Sequence, residues 1–211
     1  KIKKQGKTKQ YKLISKWSDV NLKTWLKLID FHEFSKTKEA EETIAVLSNI
    51  PKELIKKLEL KDVAIIMGKI AELQQEQNSS LKRIIEIEGK RYGFHPNLDS
   101  ICLGEWADLE TMLKNDVEKN LPEVMAILYR PVLEETENGI YTIEAYDGNI
   151  TIRAEQMKKM SAEQVQSALR FFFALGKELL LTLPSFLMEQ LKEMKMQLQM
   201  KPLLKNGATL E

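Results

Sequence analysis

Thiol and imidazole chemistry are almost missing from this chain. Of 211 residues, one is a cysteine, Cys102, and two are histidines, His32 and His95. A single thiol forms no intrachain disulfide, so a disulfide-stapled fold is excluded and a reduced interior fits best. Two imidazoles and one thiol fall short of the usual zinc ligand set, and no metal or cofactor is expected. Glycine is sparse as well: Gly104 and Gly148 stand alone rather than in a phosphate-cradling series, and no Gly-x-Ser-x-Gly elbow is present. An excess of one charge is also absent. Lysine plus arginine (32) nearly balances aspartate plus glutamate (31), so any attraction to nucleic acid or an anionic membrane must be local. The most apolar stretch, Leu169 to Met188, is broken by Lys177, Glu178 and Pro184, whereas a bilayer span needs about 20 mostly apolar residues; it reads as a core helix. The lysine-rich opening lacks the apolar region of a secretory signal, and a start at Lys1 reads as a processed product or an incomplete copy of a longer chain.

With 43 % apolar and 30 % charged residues the composition is that of an ordinary folded protein. Within it one pattern is written twice. Leu22, Trp25, Leu28, Glu42, Ala45 and Leu47 recur as Leu103, Trp106, Leu109, Glu123, Ala126 and Leu128, each pair separated by the interval between the two tryptophans. A Leu-x-x-Trp-x-x-Leu stripe followed at fixed distance by an Ala-Val/Ile-Leu run predicts one helix pair used twice, with the same faces buried. The expected fold is mainly α, two pseudo-repeated helical lobes with a small β-hairpin between them and a short β or loop insertion in the second.

The order along the chain follows from caps and periodicity. Residues 1–16 hold lysines and no acid, and read as a basic flexible arm. A first lobe, 17–77, starts a helix at Asn21, a second from about Lys38 burying Ile44 and Leu47, a short third after Pro51, and a fourth capped by Asp62 that buries Val63, Ile66, Met67 and Ile70. Polar residues 74–80 mark the lobe boundary. The second lobe, 78–183, opens with the strongest strand signal, Ile84, Ile85 and Ile87 turning at Glu88-Gly89 into Arg91-Tyr92-Gly93-Phe94. Cys102 stands where Asn21 stands, and since a thiol caps poorly this turn should rely on tertiary packing. Asn120-Leu-Pro122 starts the next helix, and the run Tyr141–Tyr146, Asp147-Gly148, Ile150–Ile152 reads as a hairpin or extended loop. Ser161 with Gln164 predicts a capping box for the main core helix. Residues 184–211, from Pro184 on, read as an amphipathic docking helix and tail.

Candidate sites are few. The carboxylate pairs Glu41-Glu42, Glu134-Glu135 and Asp108-Glu110 read as solvated, His95 as a turn residue and His32 as a helix end. Asn78-Ser-Ser80 and Asn149-Ile-Thr151 match a glycosylation pattern without the secretory context that gives it meaning. Two segments suit partner contacts. The arm, with Lys3, Lys4, Lys7 and Lys9, is either a tether to a protein or a phosphate-neutralising contact to nucleic acid, with little aromatic support for base stacking. The stripe with Met188, Met194, Met196 and Met200 reads as a core seam or an adaptable docking surface.

The segment Tyr92-Gly-Phe-His-Pro-Asn-Leu-Asp-Ser-Ile-Cys-Leu-Gly-Glu-Trp-Ala-Asp-Leu-Glu110, followed by Val124-Met-Ala-Ile-Leu-Tyr-Arg-Pro131, resembles a family of small helical proteins of tailed bacteriophages, crAss-like and related phages of Bacteroidota. The first lobe, Trp17 to Leu47, is similar to the opening of other phage virion and tail-assembly proteins. In place of the family's usual serine or threonine before Leu-Gly, this chain has Cys102. The resemblance implies a non-enzymatic part without catalytic residues: a virion component near the portal or tail, or an assembly chaperone. Its partners would be portal, tail or capsid proteins or further copies of itself, in the virion or the host cytoplasm and not at a membrane. Leu103, Gly104, Trp106, Asp108, Leu109, Tyr129, Arg130 and Pro131 match the family pattern and read as core and turn positions. Arg130 is the exception, suited either to an internal salt bridge or to a carboxylate across a lobe or subunit boundary.

Overall fold

Two side-chain caps start the helices that frame the core. Asn21 Oδ1 accepts the Thr24 N–H at 2.8 Å and opens α1 (Leu22–Asp30). Ser161 and Gln164 cap each other, at 3.2 and 3.1 Å, and open α8 (Ala162–Leu179). The two starts are joined: the Leu22 N–H donates to Met160 O and the Ala162 N–H to Val20 O. The structure, a computed structural model, describes residues 2–4, 7–75, 80–179 and 192. It is mostly helical, with a four-stranded antiparallel sheet and a separate two-stranded ribbon.

The ribbon comprises β1 (Ile2–Lys4) and β2 (Lys7–Lys9). After α1 come α2 (Lys36–Leu47), α3 (Lys52–Ile55) and α4 (Leu60–Gln75). A hairpin of β3 (Ile84–Ile87) and β4 (Lys90–Phe94) turns at Glu88 and Gly89, whose φ of 51° and 77° suit a two-residue turn. Next are α5 (Leu103–Lys114), α6 (Leu121–Leu128), β5 (Tyr129–Glu135), β6 (Tyr141–Ile143) and α7 (Ile150–Met157). The sheet order is β3-β4-β5-β6.

The helix most deeply enclosed is α6, of which every residue but Glu123 is buried, as the all-round apolar Leu-Pro-Glu-Val-Met-Ala-Ile-Leu sequence requires. It shares one core with Ile85, Tyr92, Phe94 and Tyr129 from the sheet, Ala154 and Met157 from α7, and Val165, Ala168 and Phe172 from α8. Trp17, Leu22, Trp25, Leu28, Leu47 and Ile70 belong to the same core, so buried residues on both sides of the expected lobe boundary are continuous.

The duplicated positions are buried unequally. Leu28 and Leu109 are both buried, as are Leu47 and Leu128. Leu22, however, is 0 % exposed and Leu103 is 84 % exposed, so Leu103 is not a core residue. Both open a helix, but the turn between α7 and α8 hydrogen-bonds across Leu22, whereas the face that α5 buries runs through Glu105 and Leu109. Trp25 packs edge-on against Trp17 at 6.4 Å, while Trp106 is half-buried; Ala45 is half-buried and Ala126 buried.

Four further expectations change. Lys12 and Ile14 hydrogen-bond to Asn49 and Leu47, so the arm is fastened to the body before residue 16. Helix α4 starts at Leu60, with the Asp62 and Val63 N–H groups donating to Glu59 O; Asp62 lies in its first turn, and only Ile70 of the predicted face is fully buried. Ile150–Ile152 opens a helix, because Ile150, Arg153, Ala154 and Met157 share one buried face over a window longer than the apolar triplet. Tyr129-Arg-Pro131, read as core and turn positions, is strand, since Tyr129 turns extended directly after α6. The expected docking helix and its methionines lie outside the described residues.

Strand β6 folds over the middle of β4. Tyr141 donates its hydroxyl to Phe94 O at 2.7 Å, and a Cβ on Gly93 would sit 2.5 Å from the Tyr141 ring. Gly93→Ala is therefore expected to force that ring aside and lower stability by about 1–3 kcal/mol, read from the urea midpoint.

Candidate functional site

Three elements converge on one buried charged junction. Past β4, the His95 N–H donates to Leu128 O at 2.7 Å, which holds His95 against the end of α6. Arg130, the second residue of β5, stands opposite Gly93 in the sheet. Glu105 is the third residue of α5. Its Oε2 accepts the Cys102 N–H at 2.7 Å, and Cys102 Sγ accepts the Glu105 N–H at 3.4 Å, a reciprocal cap with sulfur in the usual place of a hydroxyl. The turn expected to rely on tertiary packing because a thiol caps poorly thus carries a reciprocal cap, of which glutamate at the third helical position makes the stronger half.

The cap aims the other carboxylate oxygen inward. Arg130 Nη2 lies 2.7 Å from Glu105 Oε1, and His95 Nε2 approaches the same oxygen at 3.5 Å. The Arg130 and Glu105 side chains are 5 % and 3 % exposed. Burial draws the Arg130 guanidinium below its usual pKa, and Glu105 opposes that shift. Burial is also the largest influence on His95, pulling its pKa down; Arg130 acts in the same direction, while Glu105 and the Asn97 main chain act against it.

A second layer closes the junction. The Tyr146 ring lies 5.9 Å from the Arg130 guanidinium, and its hydroxyl donates to Asp108 Oδ2. Burial, then this bond to Asp108, raises the Tyr146 pKa. Arg153, on α7, donates to Ala126 O at 3.1 Å and meets Asp147 at 3.4 Å, tying the loop before α7 to the core helix.

Glu105 Oε2 accepts the cap hydrogen bond and Oε1 forms the ion pair, while Arg130 lies buried with the Tyr146 ring 5.9 Å from its guanidinium. The chemistry of this arrangement is mutual neutralisation and the joining of α5 to the sheet. Of the two roles open to Arg130, the internal salt bridge is observed; its burial removes it as a surface contact. Among the other carboxylates, Glu42 meets Lys52, Glu41 meets Lys56, and Glu135 meets Arg91. Among the described residues no group of three or more His, Cys, Asp or Glu side chains is placed to hold a metal ion. Lys3, Lys4, Lys7 and Lys9 fall in the two-stranded ribbon.

Sequence reasoning named Arg130 but missed its partners Glu105 and His95. A usable signal was present in Cys102-x-x-Glu105, which has capping-box spacing; the pairing with Arg130 had none, because it depends on how β5 registers against β4. No protein-family model, no curated protein and no solved structure matches the chain.

Glu105→Gln or Arg130→Met alone is expected to leave a buried charge uncompensated and cost about 3–5 kcal/mol; in the double variant the loss should be smaller than either. Chemical denaturation of the four proteins measures this. His95 titrates in the opposite sense to a stabilising cation. Its folded pKa lies below the ordinary 6.5, so between the two values the unfolded chain binds more protons and stability falls as pH drops below about 6.5. Melting temperatures between about pH 7.5 and pH 5 should show that decline in the parent and a shallower one in His95→Gln.

Proposed function

We propose that this chain is a non-enzymatic protein of tailed bacteriophages that works through protein contacts, as a virion component of the portal or tail region or as an assembly chaperone. One observation carries the reading. The two sequence elements behind the phage resemblance, Leu103-Gly-Glu105 and Tyr129-Arg-Pro131, meet through the buried Arg130–Glu105 pair. Their charged residues are spent on architecture, which supports a shape-keeping role. Contact surface is available elsewhere: Leu60 and Ile65 on α4, Leu133 and Ile140 on the β5–β6 hairpin, and Ile152 on α7 are large exposed apolar side chains. Portal, tail or capsid components or further copies of the chain are the partners in this reading, in the virion or the cytoplasm of the infected host. Among the described residues no helix is long and apolar enough to cross a membrane.

The same proposal treats the α1–α2 and α5–α6 segments as diverged copies of one helix pair. The common burial of Leu28 with Leu109 and of Leu47 with Leu128 supports this, and Leu103 marks the divergence. Mass spectrometry of purified phage particles tests the assignment: a structural subunit is expected at fixed stoichiometry, a chaperone only in lysates before assembly. Absence from both particles and assembly intermediates would sink it.

A further inference from the structure

The first sixteen residues hold Lys1, Lys3, Lys4, Lys7, Lys9, Lys12 and Lys16 and no acid, in a chain whose overall charge is only +1. The structure gives this charge a geometry. Residues Ile2–Lys4 and Lys7–Lys9 pair antiparallel, with Ile2 opposite Lys9, Lys3 opposite Thr8 and Lys4 opposite Lys7. Like charges directly opposite in a ladder destabilise it, and an isolated two-stranded ribbon is marginal in water. Lys4 opposite Lys7 is such a pair, and neutralisation by a polyanion would relieve it. The ribbon is also carried on a fixed stem, because Lys12 N–H donates to Asn49 Oδ1 at 2.6 Å and Ile14 N–H to Leu47 O at 3.0 Å.

We propose that the β1–β2 ribbon is a contact for the phosphate backbone of duplex DNA, independent of base sequence. The chemistry selects this ligand over the alternatives. A protein partner would need an apolar or aromatic anchor, and from Lys1 to Gln10 only Ile2 is apolar. Single strands are gripped by stacking, and no aromatic residue precedes Tyr11. Duplex DNA asks for neither: its major groove admits a two-stranded ribbon, and the two phosphate backbones line that groove with negative charge. Lysines position a protein on phosphates without reading bases. The inference is independent of the phage assignment, since it rests on charge and strand register alone.

The test is fluorescence anisotropy of the full chain with a short labelled duplex of mixed sequence. If four lysines meet phosphates, affinity should fall about 150-fold between about 50 and 200 mM salt and be the same for unrelated sequences. Replacing Lys3, Lys4, Lys7 and Lys9 together by alanine should remove the salt dependence and reduce affinity at least about tenfold. Thr8→Pro keeps every lysine but removes a main-chain donor from β2; it should weaken binding, which separates ribbon geometry from charge alone. An unchanged circular dichroism spectrum and melting temperature would show that the body stays folded in both variants. Absence of binding at low salt, or binding untouched by the quadruple replacement, overturns the proposal. Equal affinity for the Thr8→Pro protein overturns the ribbon geometry, and tighter binding to anionic vesicles or polyglutamate than to duplex overturns the choice of DNA.

Discussion

The carboxylate of Glu105 is the point on which this architecture turns. One oxygen closes the first turn of α5 by accepting the Cys102 N–H, and the other meets the Arg130 guanidinium inside the protein. A buried ion pair adds little net stability over a well-packed apolar pair, but separating its partners is costly. Arrangements that move β5 relative to α5 are therefore disfavoured more strongly than contact area alone would require. Since β5 follows α6 without an intervening residue, the pair's Arg130 lies two residues beyond the end of the central helix.

From that junction the two sides of the sheet acquire different tasks. Ile85, Tyr92 and Pro131 form one row across β3, β4 and β5, and Ile84, Gly93 and Arg130 form the next. Side chains in adjacent rows point to opposite faces. The first row joins the apolar core; the second meets α5 and is covered by Tyr141 and Ile143, for which Gly93 leaves the space. Tyr129 belongs to the core-side set, where burial raises its pKa and its hydroxyl donates to Lys82 O. Arg130 on the charged side is thus as enclosed as Tyr92 on the apolar one.

Local signals were legible wherever a short stretch of chain decides the outcome. Asn21, the Ser161–Gln164 box and the Glu88-Gly89 turn were readable because a cap or tight turn involves neighbours a few residues apart. The burial of Ile44 and Leu47 on α2 was readable from period alone. The repeat was real as a pattern yet misleading as a statement of burial, since identical residues at Leu22 and Leu103 meet a covering turn in one case and solvent in the other. The candidate site was half legible: Arg130 stood out, but its partners did not.

By itself the sequence determined the helical character, the β3–β4 hairpin, the starts of α1 and α8 and the absence of an intrachain disulfide, because each depends on composition or on contacts within one turn or one strand pair. Tertiary structure alone decided that Glu105, His95 and Arg130 share a buried space, that Leu103 faces water, and that one continuous core spans the expected lobe boundary. Those outcomes depend on the register of β5 against β4 and on what packs over each helix end, and neither is encoded in any window shorter than the fold.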